Sequence, residues 1–69
     1  MKNIFITGIA GLLGANLAYI LRDLYAISGV DLTPVQIKNV SCDVFDVTDI
    51  ATLKKTLIER EIDVLIHCV

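Results

Sequence analysis

The sequence predicts an α/β fold: a doubly wound parallel sheet with helices on both faces, of which this chain supplies the amino-terminal half. Three observations predict it. Glycines at 8, 11 and 14 separate an apolar run, Asn3-Ile4-Phe5-Ile6, from a run of helical period, Leu12 to Leu24. The rest of the chain alternates strand-like apolar runs with helical patterning, the signature of parallel sheets. An acid, Asp31, closes the second apolar run roughly 20 residues after the first glycine, the spacing expected of a ribose-binding carboxylate.

Each element follows from its pattern. Residues 2–7 form a strand apolar on both faces, as a buried parallel strand must be. The helix that opens at Leu12 carries Leu13, Leu17, Ile20 and Leu24 at helical spacing, with Ala18 beside them, and this face is expected to pack on the sheet. Arg22 and Asp23 close it. Residues 25–30 form the second strand. Leu32 to Asn39 then leads to a third strand, Val40-Ser41-Cys42; Pro34 bars regular strand here, and the connection is short for a crossover that usually takes about a dozen residues. Thr48 is placed to cap a second helix with Asp49 in its first turn. Ile50, Leu53, Leu57 and Ile58 make its inner face; Lys54, Lys55, Glu59 and Arg60 lie outside. Asp63 leads into a fourth strand that runs to Val69. The order is β-α-β-β-α-β, and right-handed crossovers place the strands 3-2-1-4 in space.

The glycine-rich turn carries the chemistry. Gly8 can take backbone angles that a side chain forbids, Gly11 lets the main chain approach a ligand, and Gly14 removes a side chain where helix crosses sheet. A helix start presents free N–H groups and a positive dipole end, which suit a pyrophosphate. The Gly-x-x-Gly-x-x-Gly spacing differs from the Gly-x-Gly-x-x-Gly of the long-chain dehydrogenases. At Asp31 a carboxylate would accept from both adenosine ribose hydroxyls and repel a 2′-phosphate, so NAD is favoured over NADP. Lys38 is the cation that could reach back and reverse that preference.

Composition narrows the alternatives. The 69 residues are 55% hydrophobic and 20% charged, too apolar for disorder and too apolar for so small a chain to cover its own surface. A core of this size rarely supplies more than about 3–5 kcal/mol, so the chain reads as residues 1–69 of one larger domain, with no internal boundary. A net charge of −2 argues against a nucleic-acid surface. Cys42 and Cys68 lack metal-site spacing. At strand ends three places apart, roughly 14 Å at about 4.8 Å per strand, they exceed the reach of a disulfide, about 7 Å, and read as thiols in a reducing cytoplasm. The uncharged stretch between Lys2 and Arg22, with Ala10, Gly14 and Ala18 at the spacing of packed membrane helices, allows a membrane anchor as a remote alternative. The glycines, which weaken a helix, and the switch of period near Gly8 argue against it.

With the series complete, the chain resembles the extended short-chain dehydrogenase/reductase family, NAD-dependent epimerases, dehydratases and reductases that act mostly on sugar nucleotides. Thr7-Gly8-Ile9-Ala10-Gly11-Leu12-Leu13-Gly14 matches the family's T-G-x-x-G-x-x-G. Asp31 matches the acid after its second strand. Asp43-Val44-Phe45-Asp46 is similar to its Asp-hydrophobic-x-Asp turn, and Asp63-Val64-Leu65-Ile66-His67-Cys68-Val69 to its D-x-V-I-H-x-A strand. The short link from Leu32 to Asn39 resembles the dTDP-4-dehydrorhamnose reductase branch. Cys68 and Val69 stand where the family commonly has alanines.

The resemblance implies a Rossmann-type fold that binds NAD, with NADP as the alternative. The cofactor contacts it implies are Gly8, Ala10, Gly11, Leu12, Leu13 and Gly14 in the loop, Asp31 at the ribose, Asp43 and Val44 at the adenine, and Cys68 near the nicotinamide side. It implies a nucleotide-sugar substrate bound by residues outside this chain, a homo-oligomer and a cytoplasmic location. It places no catalytic residue here: Tyr19 is followed four positions on by Asp23 and Tyr25 by Gly29, so neither begins the family's Tyr-x-x-x-Lys. His67 reads as structural and Asp46 as a turn or cap residue. A dinucleotide-binding module without catalysis, a redox sensor or regulatory subunit, is the competing class.

Overall fold

A computed structural model describes residues 1–69. Six elements follow one another: β1 (Asn3–Thr7), α1 (Leu12–Leu21), β2 (Ala26–Asp31), β3 (Val40–Val44), α2 (Ile50–Glu59) and β4 (Val64–His67). The strands form one parallel sheet in the order β3-β2-β1-β4, the architecture and order that the sequence predicts.

The register explains the core. Ile4 pairs with Ile27 and Val64, and Ile27 with Val40; two residues on, Ile6 pairs with Gly29 and Ile66, and Gly29 with Cys42. Side chains alternate across a strand, so these two rows share a face, and α1 covers it. Ile4, Ile6, Ile9, Ala18 and Ile27 are the buried cluster, with Leu17 and Leu21 packed on it. Gly29 makes the fit close, because a Cβ there would lie 2.3 Å from the Ile6 carbonyl oxygen and 2.6 Å from Ile9 Cδ1. The opposite face carries the row Thr7, Val30 and Asp43.

The helix faces differ from expectation. α1 ends at Leu21, not Leu24, and it buries Gly14 and Ala18 with Leu17 and Leu21 half-covered. Leu13 (62% exposed), Ile20 and Leu24 (66% each) point outward. Small residues let helix and sheet approach closely, so the row 14, 17, 18, 21 is the inner face. Leu17 and Ala18 of the expected face hold their place. In α2, Leu53 and Leu57 are half-buried with Thr52 and Thr56, whereas Ile50 and Ile58 are 66% exposed. The cap is Asp49, whose carboxylate accepts from the Thr52 amide, rather than Thr48. Arg60, expected on the solvated side, turns inward.

The connection from Leu32 to Asn39 needs no helix. An extended chain advances roughly 3.3 Å per residue, enough to return alongside a short strand. Val35 and Ile37 pack against the core on the way, and Asn39 turns the chain into β3 with φ 68°. At the far end of α2, the Glu61 amide donates to Ile58 O and the Ile62 amide to Leu57 O. This is a Schellman closure with Glu61 at φ 52° in the left-handed position. Asn3 then latches the turn, its Nδ2 donating to the Arg60 and Glu61 carbonyls and its amide to Asp63 Oδ2. No helix is long and apolar enough to cross a membrane.

Candidate functional site

The glycine loop leaves β1 and turns sharply at Gly8, whose φ is +72°. Its amide and that of Ile9 both donate to the Val30 carbonyl, at 2.9 and 3.2 Å, which docks the loop onto the end of β2. A Cβ at Gly8 would stand 3.0 Å from Cys68 O and 3.2 Å from Val69 Cγ2, so the end of β4 closes over the turn. A Cβ at Gly14 would lie 2.3 Å from Gly8 O. Helix start and loop are therefore in direct backbone contact.

Gly11 is different. It is exposed, its φ of −75° and ψ of 171° are open to any residue, and a Cβ would meet only Gly8 O at 3.3 Å. It stands at the N-cap of α1 with no side chain to cap the helix. Leu12, Leu13 and Gly14 follow, and the helical geometry gives their amides no intrahelical acceptor. The backbone at 11 demands no glycine, and a Cβ would press on a single backbone oxygen; the position leaves room beside a row of donors and a helix-dipole terminus.

Asp31 binds the loop as well as facing it. Its Oδ2 accepts from the Ala10 amide at 2.9 Å and its Oδ1 from the Leu32 amide at 2.7 Å. A carboxylate has about four lone-pair sites, so two remain. Beside it opens a cavity of about 180 Å³ at the carboxyl end of the sheet. Gly8, Asp31, Leu32, Phe45, Asp46, Val47, Thr48 and Val69 line it. Val69 stands here at the end of the strand that the resemblance sets beside the cofactor, whereas the sequence alone does not mark Leu32, Phe45, Val47 or Thr48 as a wall. The Asp46-Val47-Thr48 turn was the available signal: Asp46 Oδ1 accepts from both the amide and the hydroxyl of Thr48, at 2.9 and 2.8 Å. The Thr48 amide, and after it the Thr48 hydroxyl, hold the Asp46 carboxyl below the usual aspartate range.

Asp43 and Val44 are the last two residues of β3 rather than part of the turn. They face a second, more open cleft of about 430 Å³ shared with Phe45, Thr52, Thr56, Glu59 and Arg60, outside the cavity beside Asp31. The Arg60 guanidinium donates from Nε and Nη2 to the two Asp43 oxygens at 3.1 and 3.0 Å, a fork-on-fork pair. Lys38 stands at the other end of the sheet, where its carbonyl accepts from Arg22 Nη1 just before β3 begins. This overturns the expectation that it reaches back to the ribose, since a strand length separates the two.

Thr7, last residue of β1, is almost wholly buried, and its hydroxyl joins the strands at the site. It accepts from the Cys68 amide at 3.3 Å and shares a 2.6 Å hydrogen bond with His67 Nδ1. If the Thr7 hydroxyl donates to Nδ1, the imidazole carries its proton on Nε2. This places His67 as a structural partner of β1. Cys42, on the outer strand β3, and Cys68, one residue past the other outer strand β4, are free, half-buried thiols.

No protein-family model matches the sequence, and no curated protein does. Solved structures do. The Bordetella bronchiseptica enzyme WbmH, in complex with NAD+, superposes on the whole chain with a TM-score of 0.86 at 23% identity. Uronate dehydrogenase from Agrobacterium tumefaciens superposes on 99% of it with a TM-score of 0.80 at 27% identity, both as that enzyme and as a mutant complexed with NAD. The chain spans 26% of the length of each. The fold is the amino-terminal portion of a Rossmann-type sheet, as the resemblance to the extended short-chain dehydrogenases/reductases implies.

Proposed function

We propose that this chain is the NAD-binding portion of an oxidoreductase, epimerase or dehydratase that acts on a nucleotide sugar. One observation supports the reading above all: Gly11 is an exposed glycine whose backbone angles any residue could adopt, at the mouth of a helix whose first amides lack intrahelical acceptors. A pyrophosphate accounts for it, because its oxygens would take those amides and its bulk would occupy the space a side chain fills. Gly8 and Gly14 shape the loop, and the amides of Leu12 and Leu13 offer donors. Asp31, with two lone-pair sites free, would accept from the ribose hydroxyls. It would also disfavour a 2′-phosphate, with Asp46 lining the same cavity. The end of β3, Asp43 and Val44, takes the adenine side. Cys68 and Val69, against Gly8, take the direction of the nicotinamide.

When bound, the dinucleotide supplies or accepts hydride; this chain's residues bind and orient it. The reading assigns them no proton transfer. Tyr25 packs against the core, and Tyr19 lies under the Arg22 guanidinium at 4.3 Å. The whole protein is proposed to work in the cytoplasm as a homo-oligomer. Calorimetric titration of the full chain with NAD and NADP tests the reading. Saturable binding with NAD the tighter ligand is expected, and Asp31→Ala should weaken NAD and narrow the gap to NADP. Absence of NAD binding at millimolar concentration, with the chain folded, refutes it.

A further inference from the structure

Resting on the dinucleotide reading, we infer that Arg60 is a positioning residue for the base side of the site, although it lies outside the cavity. Arg60 is the C-cap of α2, one residue beyond its last turn. Its guanidinium reaches across the sheet to the last residues of β3. The small side chains of Ser28 and Ser41, paired on adjacent strands, border the cleft beside it and leave room for that path. The bond is bidentate, so it fixes orientation as well as distance, and both side chains are only about one-third exposed.

The pair governs the cavity through Phe45. Phe45 borders the Asp43–Arg60 cleft on one side and the Asp31 cavity on the other. The segment from Phe45 to Thr48 runs between the end of β3, paired with β2 through Asp43 and Val44 and tied to α2 by the Asp43–Arg60 fork, and Asp49 on Thr52 downstream. The span itself is held by the exposed Asp46–Thr48 turn and by two backbone bonds, from the Asp49 amide to Asp46 O and from the Ile50 amide to Thr48 O. Releasing Asp43 leaves its backbone in the ladder but removes the side-chain tie between α2 and the upstream end of the wall against which a base would lie. It also loses the orientation of the Asp43 carboxylate, whose remaining lone pairs, while the fork holds it, suit an exocyclic amino group.

The test compares NAD with nicotinamide guanine dinucleotide, which differs only in the base, by calorimetry on the full chain. Arg60→Gln should weaken NAD about fivefold and narrow its preference over the guanine analogue, in the range typical of coupled neighbours. Arg60→Lys keeps the charge but not the fork and should fall between. Amide hydrogen exchange supplies a second readout: Val47 and Thr48 should exchange faster in Arg60→Gln while Gly8 and Ile9 do not. A wild-type chain that discriminates, with an Arg60→Gln chain that discriminates equally, overturns this inference alone. Equal weakening of both dinucleotides, the mark of general loosening, overturns it too. A wild type that binds neither overturns the dinucleotide reading, and the inference with it.

Discussion

The three glycines separate fold from function, and alanine at 11 and at 14 tests the separation. At Gly14 the added methyl meets Gly8 O at 2.3 Å and Gly8 C and Ile9 Cα at 2.9 Å, all backbone. Nothing there can swing aside, so the helix must lift. Overpacking of this kind costs about 1–3 kcal/mol, which in a domain of this size lowers Tm by roughly 4–8 °C per kcal/mol. At Gly11 the methyl meets one oxygen at 3.3 Å, and the backbone is already extended. Replacing an N-cap glycine with alanine costs about 1 kcal/mol or less; the reduced freedom of the unfolded chain returns about 0.4–1 kcal/mol. Gly11→Ala should therefore unfold within roughly 0.5 kcal/mol of wild type. Its methyl would nevertheless point where the pyrophosphate lies, and an overpacking cost of the same 1–3 kcal/mol there weakens NAD roughly 5- to 150-fold. Urea unfolding and NAD titration on both variants decide the matter. Gly11→Ala that keeps wild-type affinity would mean the loop is only a turn, and Gly11→Ala that loses stability like Gly14→Ala would mean the reason for Gly11 is packing.

Asp31→Ala removes the acceptor for the Ala10 amide as well as the ribose ligand, so both dinucleotides should weaken and NAD the more; unchanged NADP/NAD preference in titration would exclude the ribose role. Glu61→Gly relieves a left-handed residue in the Schellman closure and should raise stability by about 0.5–1 kcal/mol, read as a higher urea midpoint; a lower midpoint would show that the Glu61 side chain matters more than its backbone. Asp46 has a folded pKa depressed below its unfolded value, so its bond to Thr48 is at full strength above about pH 3.9 and is lost as pH falls through the lower folded value. The Thr48 amide resonance should hold steady down to that region and shift only below it; a midpoint near or above the ordinary aspartate value would show that the turn does not hold the carboxylate.

The fold was legible because its determinants are local and periodic. Glycine spacing, two helical stretches and the apolar runs suffice for element order, and handedness rules convert order into topology. The helix faces were less legible. In α1 the apolar residues surround the axis, so periodicity selects no single face, and close approach at Gly14 and Ala18 decides it instead. In α2 two threonines, Thr52 and Thr56, sit on the half-buried side, where a hydrophobic pattern does not look for them. The site divides the same way. Gly8, Gly14 and Asp31 announce themselves by residue type at a fixed spacing. The Arg60–Asp43 pair joins residues far apart in sequence, and Arg60 reads as one more charge on a solvated helix until the topology brings α2 back across β3.

That division has a mechanical consequence. Every fully buried side chain lies in β1, the glycine loop, α1 or β2, and α2 buries none. The half of the site that would grip the pyrophosphate and ribose therefore rests on the core, while the half that would grip the base rests on the edge-strand ladder of β3, the Asp43–Arg60 and Asp49–Thr52 pairs and the exposed Asp46 turn. Local opening follows burial, so amides of the Phe45–Thr48 wall should exchange well before those of Gly8 and Ile9, whose shared acceptor is the buried Val30. A ligand that orders the wall loses affinity to the ordering itself. Contacts to the phosphates should then set the affinity of a dinucleotide, and stiffness of the wall should set which base it accepts. Arg60 acts on that stiffness without touching the ligand.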